Sequence, residues 1–357
     1  MRAACADQAR LAIRGGASKG FHPFARAAQG AEWLDLRACR GVVAYEPSEL
    51  VVTARAGTPL CELEAELAAH GQCLAFEPPR YGAGGTVGGM VATGLSGPAR
   101  ASRGALRDFV LGVEIINGRG ERLRFGGQVM KNVAGYDVSR LMAGSWGRLA
   151  VITEVSLKVL PVAPAEATLR LELGQADALA RLHRWGGQPL PLEASCWLED
   201  AGVATLFVRL RGARAAVQAA CASMGGERIE DARVPADWDA CRDQRLPWFA
   251  GRAAGHALWR LALPQAAPVL ALPEGAGPPL IEWHGGLRWV QAPPQAGPQL
   301  HALAAQVGGS ASLFIAASVH TTGARDFFDL QSPALASIHR RVAQAFDPGG
   351  VFQPPAA

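Results

Sequence analysis

The sequence is poor in lysine, with Lys19, Lys131 and Lys158 alone among 357 residues, so almost all of its positive charge comes from arginine. Its net charge of +4 is small for this length, and no run dense in lysine or arginine has interleaved aromatic residues. Because such runs mark nucleic-acid-binding proteins, no nucleic-acid partner is expected. The nearest basic cluster, formed by Arg209, Arg211 and Arg214, is interpreted as the solvated start of a helix.

The chain also lacks the cysteine spacings that hold disulfides, zinc or iron–sulfur clusters. Its seven cysteines include no C-x-x-C pair and leave an odd number unpaired. A disulfide framework, a zinc ribbon and a ligated iron–sulfur cluster are therefore not expected, and a reducing compartment is indicated. We expect no metal site.

Long apolar runs are absent as well. No stretch reaches the roughly 18 residues needed to cross a membrane, and the N-terminal segment lacks a signal-peptide core. We therefore expect no direct membrane insertion and a cytoplasmic location, at the inner face of a membrane only through a partner.

The length exceeds that at which one hydrophobic core usually stops growing, so two domains are expected. The proline-rich segment 161–168 is the best boundary, which predicts a first domain over 1–163, a smaller domain over 164–340 and a tail over 341–357. The rhythm of the second domain favours mixed α+β structure, with helices on one face of a mostly antiparallel sheet. Its seven tryptophans are interpreted as an exposed docking surface.

Several local patterns in the first half predict individual elements. Residues 109–127 read as a hairpin turning at Asn117, and Asp137 is a candidate helix N-cap. A helix follows Thr58, whose side chain is the predicted N-cap, and ends at Gly71, with a leucine at every third or fourth position.

Seven glycines lie between Gly82 and Gly97, a density that demands close backbone contact with something. No Gly-Lys pair occurs, so a Walker phosphate loop is excluded, and the spacing breaks the G-x-G-x-x-G dinucleotide fingerprint. A second glycine turn, "IRGGASKG" at 13–20, has successive free amides beside a serine hydroxyl and a lysine, a combination that suits an anion. Two such loops would fit a long, flat ligand with a central pyrophosphate, such as FAD.

Four segments, "RGGASKG", "GGTVGGMVATGLSGP", "SRGALRDFVLGVEIINGRGERLRFGGQVMKNVAGYD" and "GSWGRLAVITEVSLKVLP", together resemble the flavin domain of the vanillyl-alcohol-oxidase, or PCMH-type, flavoprotein superfamily. More narrowly, nearly the whole chain is similar to the family of FAD-binding E subunits of bacterial glycolate oxidase. The resemblance implies an α+β fold, in which a PCMH-type FAD-binding domain of two α/β subdomains is followed by a smaller cap-like domain. The tail would then return to the flavin domain.

The resemblance also implies which residues touch the cofactor. These are Arg14, Gly15, Gly16, Ala17, Ser18 and Lys19 in the first loop; Gly84, Gly85, Thr86, Val87, Gly88, Gly89, Ala92, Thr93 and Gly94 in the second; and Arg103, Gly104, Gly147, Val151 and Ile152. An ordinary buried strand is the alternative for Val151 and Ile152. No histidine stands within the first loop, where covalently attached flavins of this superfamily often bind, so a non-covalent FAD is expected.

Catalytic residues are not identified by the sequence. Glu282, His284 and Arg288 could act as a base, a ligand and a carboxylate clamp, but a strand end with solvated polar residues explains them as well. The resemblance implies a multi-subunit glycolate oxidase, with a larger flavin subunit and an iron–sulfur subunit as partners and a small 2-hydroxy acid as substrate. A free-standing flavin dehydrogenase and a flavin-free scaffold are the alternatives.

Overall fold

The structure is a computed structural model, and it describes residues 2–7, 9–22, 31–127, 136–318 and 333–352. The strands are β1 (Leu11–Arg14), β2 (Glu32–Asp35), β3 (Val42–Glu46), β4 (Val51–Arg55), β5 (Gln72–Cys73), β6 (Val110–Asn117), β7 (Arg122–Gly126), β8 (Ala150–Lys158), β9 (Leu160–Pro161), β10 (Ala165–Glu172), β11 (Leu192–Asp200), β12 (Val203–Gly212), β13 (Glu227–Ile229), β14 (Ala257–Ala262), β15 (Leu280–Glu282), β16 (Leu287–Ala292) and β17 (Ser310–Ile315). The α-helices are α1 (Arg2–Ala6), α2 (Leu60–Ala69), α3 (Val87–Thr93), α4 (Arg100–Arg103), α5 (Leu106–Phe109), α6 (Val138–Met142), α7 (Gln175–Gly186), α8 (Arg214–Met224), α9 (Val234–Arg242), α10 (Pro247–Ala250), α11 (Gly297–Gln306) and α12 (Pro333–Phe346).

The first half is built on a five-stranded antiparallel sheet of order β3-β4-β8-β6-β7. Helices α2 and α3 pack on one face of this sheet and close a core with it. Leu60, Leu63 and Leu67 are buried because their spacing places them on one face of α2. A separate parallel pair, β1-β2, precedes the sheet.

Of the three local predictions, the hairpin at Asn117 and the Asp137 N-cap are confirmed, and the Thr58 N-cap is wrong. The hairpin β6-β7 turns after Asn117, whose side-chain Oδ1 accepts the N–H groups of Arg119 and Glu121. The Asp137 carboxylate caps α6 by accepting the Arg140 N–H. The Thr58 cap was wrong, because its hydroxyl is bonded to the backbone of Gly41.

The second half forms an eight-stranded antiparallel sheet of order β13-β10-β12-β11-β15-β16-β14-β17. Alternate residues of each strand point to opposite faces, so Trp197 of β11 packs toward α7 and α8, while Cys196 points away from them. Helices α7, α8 and α11 cover one face. The prediction that all helices lie on one face was wrong for α9 and α10, which pack on the other.

The opposite face of that sheet packs against α9 and against side chains of the first half, among them Phe21, Tyr81 and Leu95. This face holds Trp238, Trp283 and Trp289, which are buried. The prediction of an exposed, tryptophan-rich docking surface was therefore wrong, because six of the seven tryptophans of the second half are buried, three of them in the core between the two halves.

The end of the chain contacts its beginning. The Leu11 N–H donates to the Val351 carbonyl, and the Asp347 carboxylate accepts the N–H groups of Val351 and Phe352. The predicted limits of the domains stay predictions. Lys131 and Asn132, which belong to the third of the four segments that carry the family resemblance, lie outside the described residues.

Candidate functional site

The two glycine-rich loops lie directly against each other. A Cβ atom added to Gly16 would stand 1.2 Å from the Gly84 carbonyl oxygen, and one added to Gly84 would stand 2.8 Å from the Gly16 carbonyl oxygen. Both distances are shorter than any real carbon contact, so each position accepts only glycine. The structure thus brings together two segments that are about seventy residues apart.

Thr86 joins these loops to helix α3. It is the N-cap of α3, where its Oγ1 accepts the Gly89 N–H at 3.2 Å, and a Cβ on Gly15 would meet the same oxygen at 2.4 Å. Gly88 packs against Ala56, whose Cβ would lie 2.6 Å from an added Cβ. The N-terminal turn of α3 is therefore held close to both loops.

A third segment, residues 143–148, completes the cluster. The N–H groups of Gly144 and Trp146 donate to backbone carbonyls of α3, and a Cβ on Gly94 would stand 2.8 Å from the Gly144 nitrogen. Gly147 has a left-handed backbone and faces Ile13, the residue before the first loop. The two predicted loops and Gly147 of the third predicted set therefore lie together.

Several polar groups in this cluster lack an anionic partner. Burial lowers the pKa of Lys19 to about 8, and the ion pairs of the described residues include none for its ammonium. Within the described part of the chain, Arg14 Nε and Ser145 Oγ are buried without a hydrogen-bond partner. The site therefore has cations and donors ready for a negatively charged group.

The remaining predicted residues lie elsewhere. Arg103 donates its Nε to Glu193 on β11 at 2.6 Å, which commits its guanidinium to the second sheet, and Gly104 ends α4 beside it. Val151 packs with Leu11 and the chain end, while Ile152 is in the core under the five-stranded sheet. The contacts of Val151 and Ile152 agree with the alternative that they belong to an ordinary buried strand. The cofactor roles of these two residues, and of Arg103 and Gly104, stay predictions.

Aromatic residues that sequence reasoning missed lie beside the loops. The ring of His22 stacks on Trp146 with centroids 3.9 Å apart, and Lys19 lies over the ring of Tyr81. Phe314 of β17 contacts His22 from the second sheet. Burial, aided by the charge of Arg260, lowers the pKa of His22 to about 3, so its ring is neutral. The glycines that flank Trp146, Gly144 and Gly147, were the one sequence pattern that could have indicated these aromatic residues.

The trio Glu282, His284 and Arg288 does not form a site, and none of its members is solvated as the alternative expected. His284 lies between two serines, with Nε2 2.9 Å from Ser102 Oγ and Nδ1 3.0 Å from Ser195 Oγ, and burial lowers its pKa to about 4. Arg288 donates to two backbone carbonyls of the 267–268 segment. Glu282 is buried, its carboxylate accepts the Trp289 Nε1–H at 2.7 Å, and burial raises its pKa to about 7.

Metal binding and membrane crossing have no candidate elements in the described ranges. No group of three or more histidine, cysteine, aspartate or glutamate side chains there is placed to hold a metal ion. Within the same ranges no helix combines the length and apolar character that a membrane crossing requires.

Comparison with known proteins places this geometry in context. Residues 1–126 match the family model of an FAD binding domain. The chain is 45% identical over 351 residues to glycolate oxidase subunit GlcE of Escherichia coli K12, covering 98% of this chain and 93% of that protein. It is 36% identical over 96 residues to glycolate oxidase subunit GlcD of Bacillus subtilis, covering 27% and 20% of the two chains. A solved alkyldihydroxyacetonephosphate synthase shares its fold, with a TM-score of 0.68, 15% identity and coverage of 99% and 73%.

FAD is thus the cofactor of this chain, and the loop cluster fits it. An FAD pyrophosphate is a doubly charged anion, which suits the buried Lys19 ammonium and the unpartnered Arg14 Nε. Gly15, Gly16 and Gly84 let the two loops and Thr86 pack together with no side chain at these three positions.

Proposed function

The chain belongs to the family of glycolate oxidase subunit GlcE, and from that membership we propose that it is the FAD-holding subunit of a multi-subunit glycolate oxidase. The observation that carries the proposal is the 45% identity to GlcE, which extends over 98% of the chain. The aligned part includes the cluster of glycine loops. The chain is an FAD-dependent oxidoreductase, and the substrate proposed for the complex is glycolate, which it would oxidise to glyoxylate.

The first loop, from Arg14 to Lys19, would hold the pyrophosphate through its amides and the two cations. The second, from Gly84 to Gly94, would line the cofactor with its backbone, and Gly147 would close the site from the third segment. Bound FAD supplies a two-electron acceptor for the reaction. The protein positions it and excludes water with the aromatic residues around His22.

The partners follow from the same proposal. A larger flavin subunit would contribute the main substrate site, and an iron–sulfur subunit would take the electrons onward. The cysteines of this chain have no cluster-binding spacing, so the proposal assigns the iron–sulfur centre to that partner.

Cofactor counting in the assembled complex tests the proposal. The complex purified with this chain should contain more FAD than its partner subunits contain without it, and anaerobic glycolate should bleach the flavin spectrum. If the reconstituted chain shows no flavin absorbance, it is a scaffold and the proposal fails. Bleaching by glycolate without any partner would instead identify a free-standing dehydrogenase.

A non-covalent FAD makes a separate prediction. Because no histidine stands within the Arg14–Lys19 loop, acid precipitation of the FAD-loaded protein should leave the yellow colour in the supernatant. Absorbance of both fractions measures the partition. Colour retained in the washed pellet would show that the flavin is covalently attached.

Affinity for FAD should depend on the protonation of Lys19. In the FAD-free chain the pKa of this lysine is about 8. Above that pH its side chain is mostly a neutral amine, which must take up a proton before it can form an ion pair with a pyrophosphate. We expect affinity to fall by up to about tenfold per pH unit above pH 8. Fluorescence titration from pH 7 to 10 measures this. Lys19→Met should flatten the profile, whereas Lys158→Met, at the far end of β8 from Ala150, should leave it unchanged.

A further inference from the structure

The turn that connects β15 to β16 in the second half has an unusual backbone. Its residues Trp283, His284 and Gly285 have left-handed φ angles of 54°, 56° and 99°. For a residue with a side chain such a conformation is costly, and it persists only where the surrounding contacts impose it. Because these conformations concentrate at functional sites, the contacts of the turn indicate what it is shaped to hold.

Contacts within the second half anchor this turn. Ser195 Oγ on β11 accepts the His284 N–H at 3.0 Å, and Gln265 Nε2 donates to the Trp283 carbonyl at 3.3 Å. A Cβ added to Gly285 would stand 2.9 Å from the Gln265 carbonyl oxygen, so a larger residue does not fit at this position. The position of the turn is therefore set by the second half.

The side chains of the turn reach into the first half. Trp283 Nε1 donates to the Gly97 carbonyl at 2.9 Å, and His284 Nε2 lies 2.9 Å from Ser102 Oγ. Both Trp283 and His284 are buried. Their two partners lie on one short stretch of the first half, residues 95–103, so the turn holds this segment at two points.

The 95–103 segment continues the second glycine loop directly. Gly94, the residue before it, ends helix α3 with a left-handed backbone, and its N–H donates to carbonyls of the last turn of that helix. Only Leu95 and Ser96 separate Gly94 from Gly97. The Gly97 N–H donates to the Phe76 carbonyl at 2.9 Å, so Gly97 is held from both halves of the chain. A shift of Gly97 would therefore move the end of α3.

We propose that Trp283 and His284 are positioning residues for the cofactor, which fix the 95–103 segment from the second half and thereby hold the second glycine loop in its FAD-binding position. The inference rests on the proposed placement of FAD along the Gly84–Gly94 loop. It gives the second half of the chain a share in holding FAD, although these two residues lie outside the loop cluster. His284 then acts through Ser102 rather than as a ligand.

Trp283→Phe tests this inference, because it keeps an aromatic ring beneath Arg100 and removes the hydrogen bond to Gly97. The buried Gly97 carbonyl loses its donor, so the segment should leave its position more often, and FAD affinity should fall about fivefold or more. Fluorescence titration of the FAD-free chain measures the affinity. Hydrogen–deuterium exchange should be faster at residues 87–97 of this variant, and added FAD should slow it again.

Ser102→Ala tests the second contact of the turn. It removes the partner of His284 on the 95–103 segment and should also weaken FAD binding. Ser223→Ala is its control, because the Ser223 hydroxyl donates to the Ala220 carbonyl of its own helix, and this variant should bind FAD as the wild type does. Wild-type affinity in Ser102→Ala would remove His284 from the assignment.

Trp259→Phe is the matched control for the tryptophan. Trp259 is buried in the same sheet, and its Nε1 has no hydrogen-bond partner among the described residues, so the change removes ring atoms but no hydrogen bond. Its FAD affinity and its exchange at residues 87–97 should equal those of the wild type, even if its melting temperature falls. Equal losses of affinity in both tryptophan variants would indicate general destabilisation and overturn the inference.

The remaining outcomes separate this inference from the proposed function. Wild-type FAD affinity in a folded Trp283→Phe chain would overturn the inference and leave the proposed function intact. A wild-type chain that binds no FAD would refute the proposed function and, with it, the positioning role.

Discussion

The Gly16→Ala variant is expected to purify with little FAD. The added methyl group would stand 1.2 Å from the Gly84 carbonyl oxygen, and neither backbone can yield without moving its loop. Because overpacking of this kind costs about 1–3 kcal/mol or more, FAD affinity should fall at least about tenfold. The ratio of flavin absorbance to protein absorbance, followed by titration with added FAD, measures the loss.

Gly20→Ala is the matched control, because it adds the same methyl group to the same loop. The nearest atom to that methyl would be the Ala17 carbonyl oxygen at 3.5 Å, an ordinary contact, so FAD content should equal that of the wild type. Far-ultraviolet circular dichroism of both variants checks that the chain is folded. Full FAD content in Gly16→Ala would contradict the assignment of the two loops to the cofactor.

The glycines show what the sequence could and could not reveal about this site. Their density predicted close backbone approach, and the structure contains it. The family resemblance implies that the cofactor lies against these glycines, whereas at Gly16, Gly88 and Gly94 protein atoms occupy the space that a side chain would fill. Since loop-to-loop packing depends on contacts between distant segments, no local pattern distinguishes these glycines from Gly85 or Gly89, where an added Cβ meets nothing closer than 3.2 Å.

Secondary structure was predictable wherever one periodicity dominated. The leucines of α2 follow from the one buried face of that helix. The strand β7 alternates in the same simple way between exposed and partly buried residues. Charged residues did not follow such a pattern. Arg209 was expected at a solvated helix start, but it lies within β12 and is 3% exposed, because its partner Glu77 stands 132 residues earlier. That pairing appears only when the two halves come together.

The ion cluster around Glu77 joins the two halves. Glu77 Oε1 accepts from Arg209 Nη2 at 2.5 Å and from Arg211 Nη1 at 3.3 Å, while its Oε2 accepts the Ala99 N–H. Burial acts to raise the pKa of Glu77, but the two arginines outweigh it and hold that pKa below the usual value. Its contribution to stability is therefore present above about pH 4.5 and is lost as the pH falls through the lowered folded-state pKa.

Arg209→Met should lower the free energy of unfolding by about 3–5 kcal/mol, because it leaves a buried carboxylate short of its main partner. Arg233→Met, which removes an exposed arginine paired with Asp231, should leave the free energy of unfolding close to that of the wild type, because solvent screens an exposed ion pair. Urea denaturation followed by tryptophan fluorescence measures both.

Loss of packing against Trp238 could also destabilise Arg209→Met, and a double-mutant cycle with Glu77→Gln separates the two causes. If the ion pair dominates, the double variant loses less than the sum of the single variants; strict additivity would assign the whole effect to packing and refute the electrostatic account.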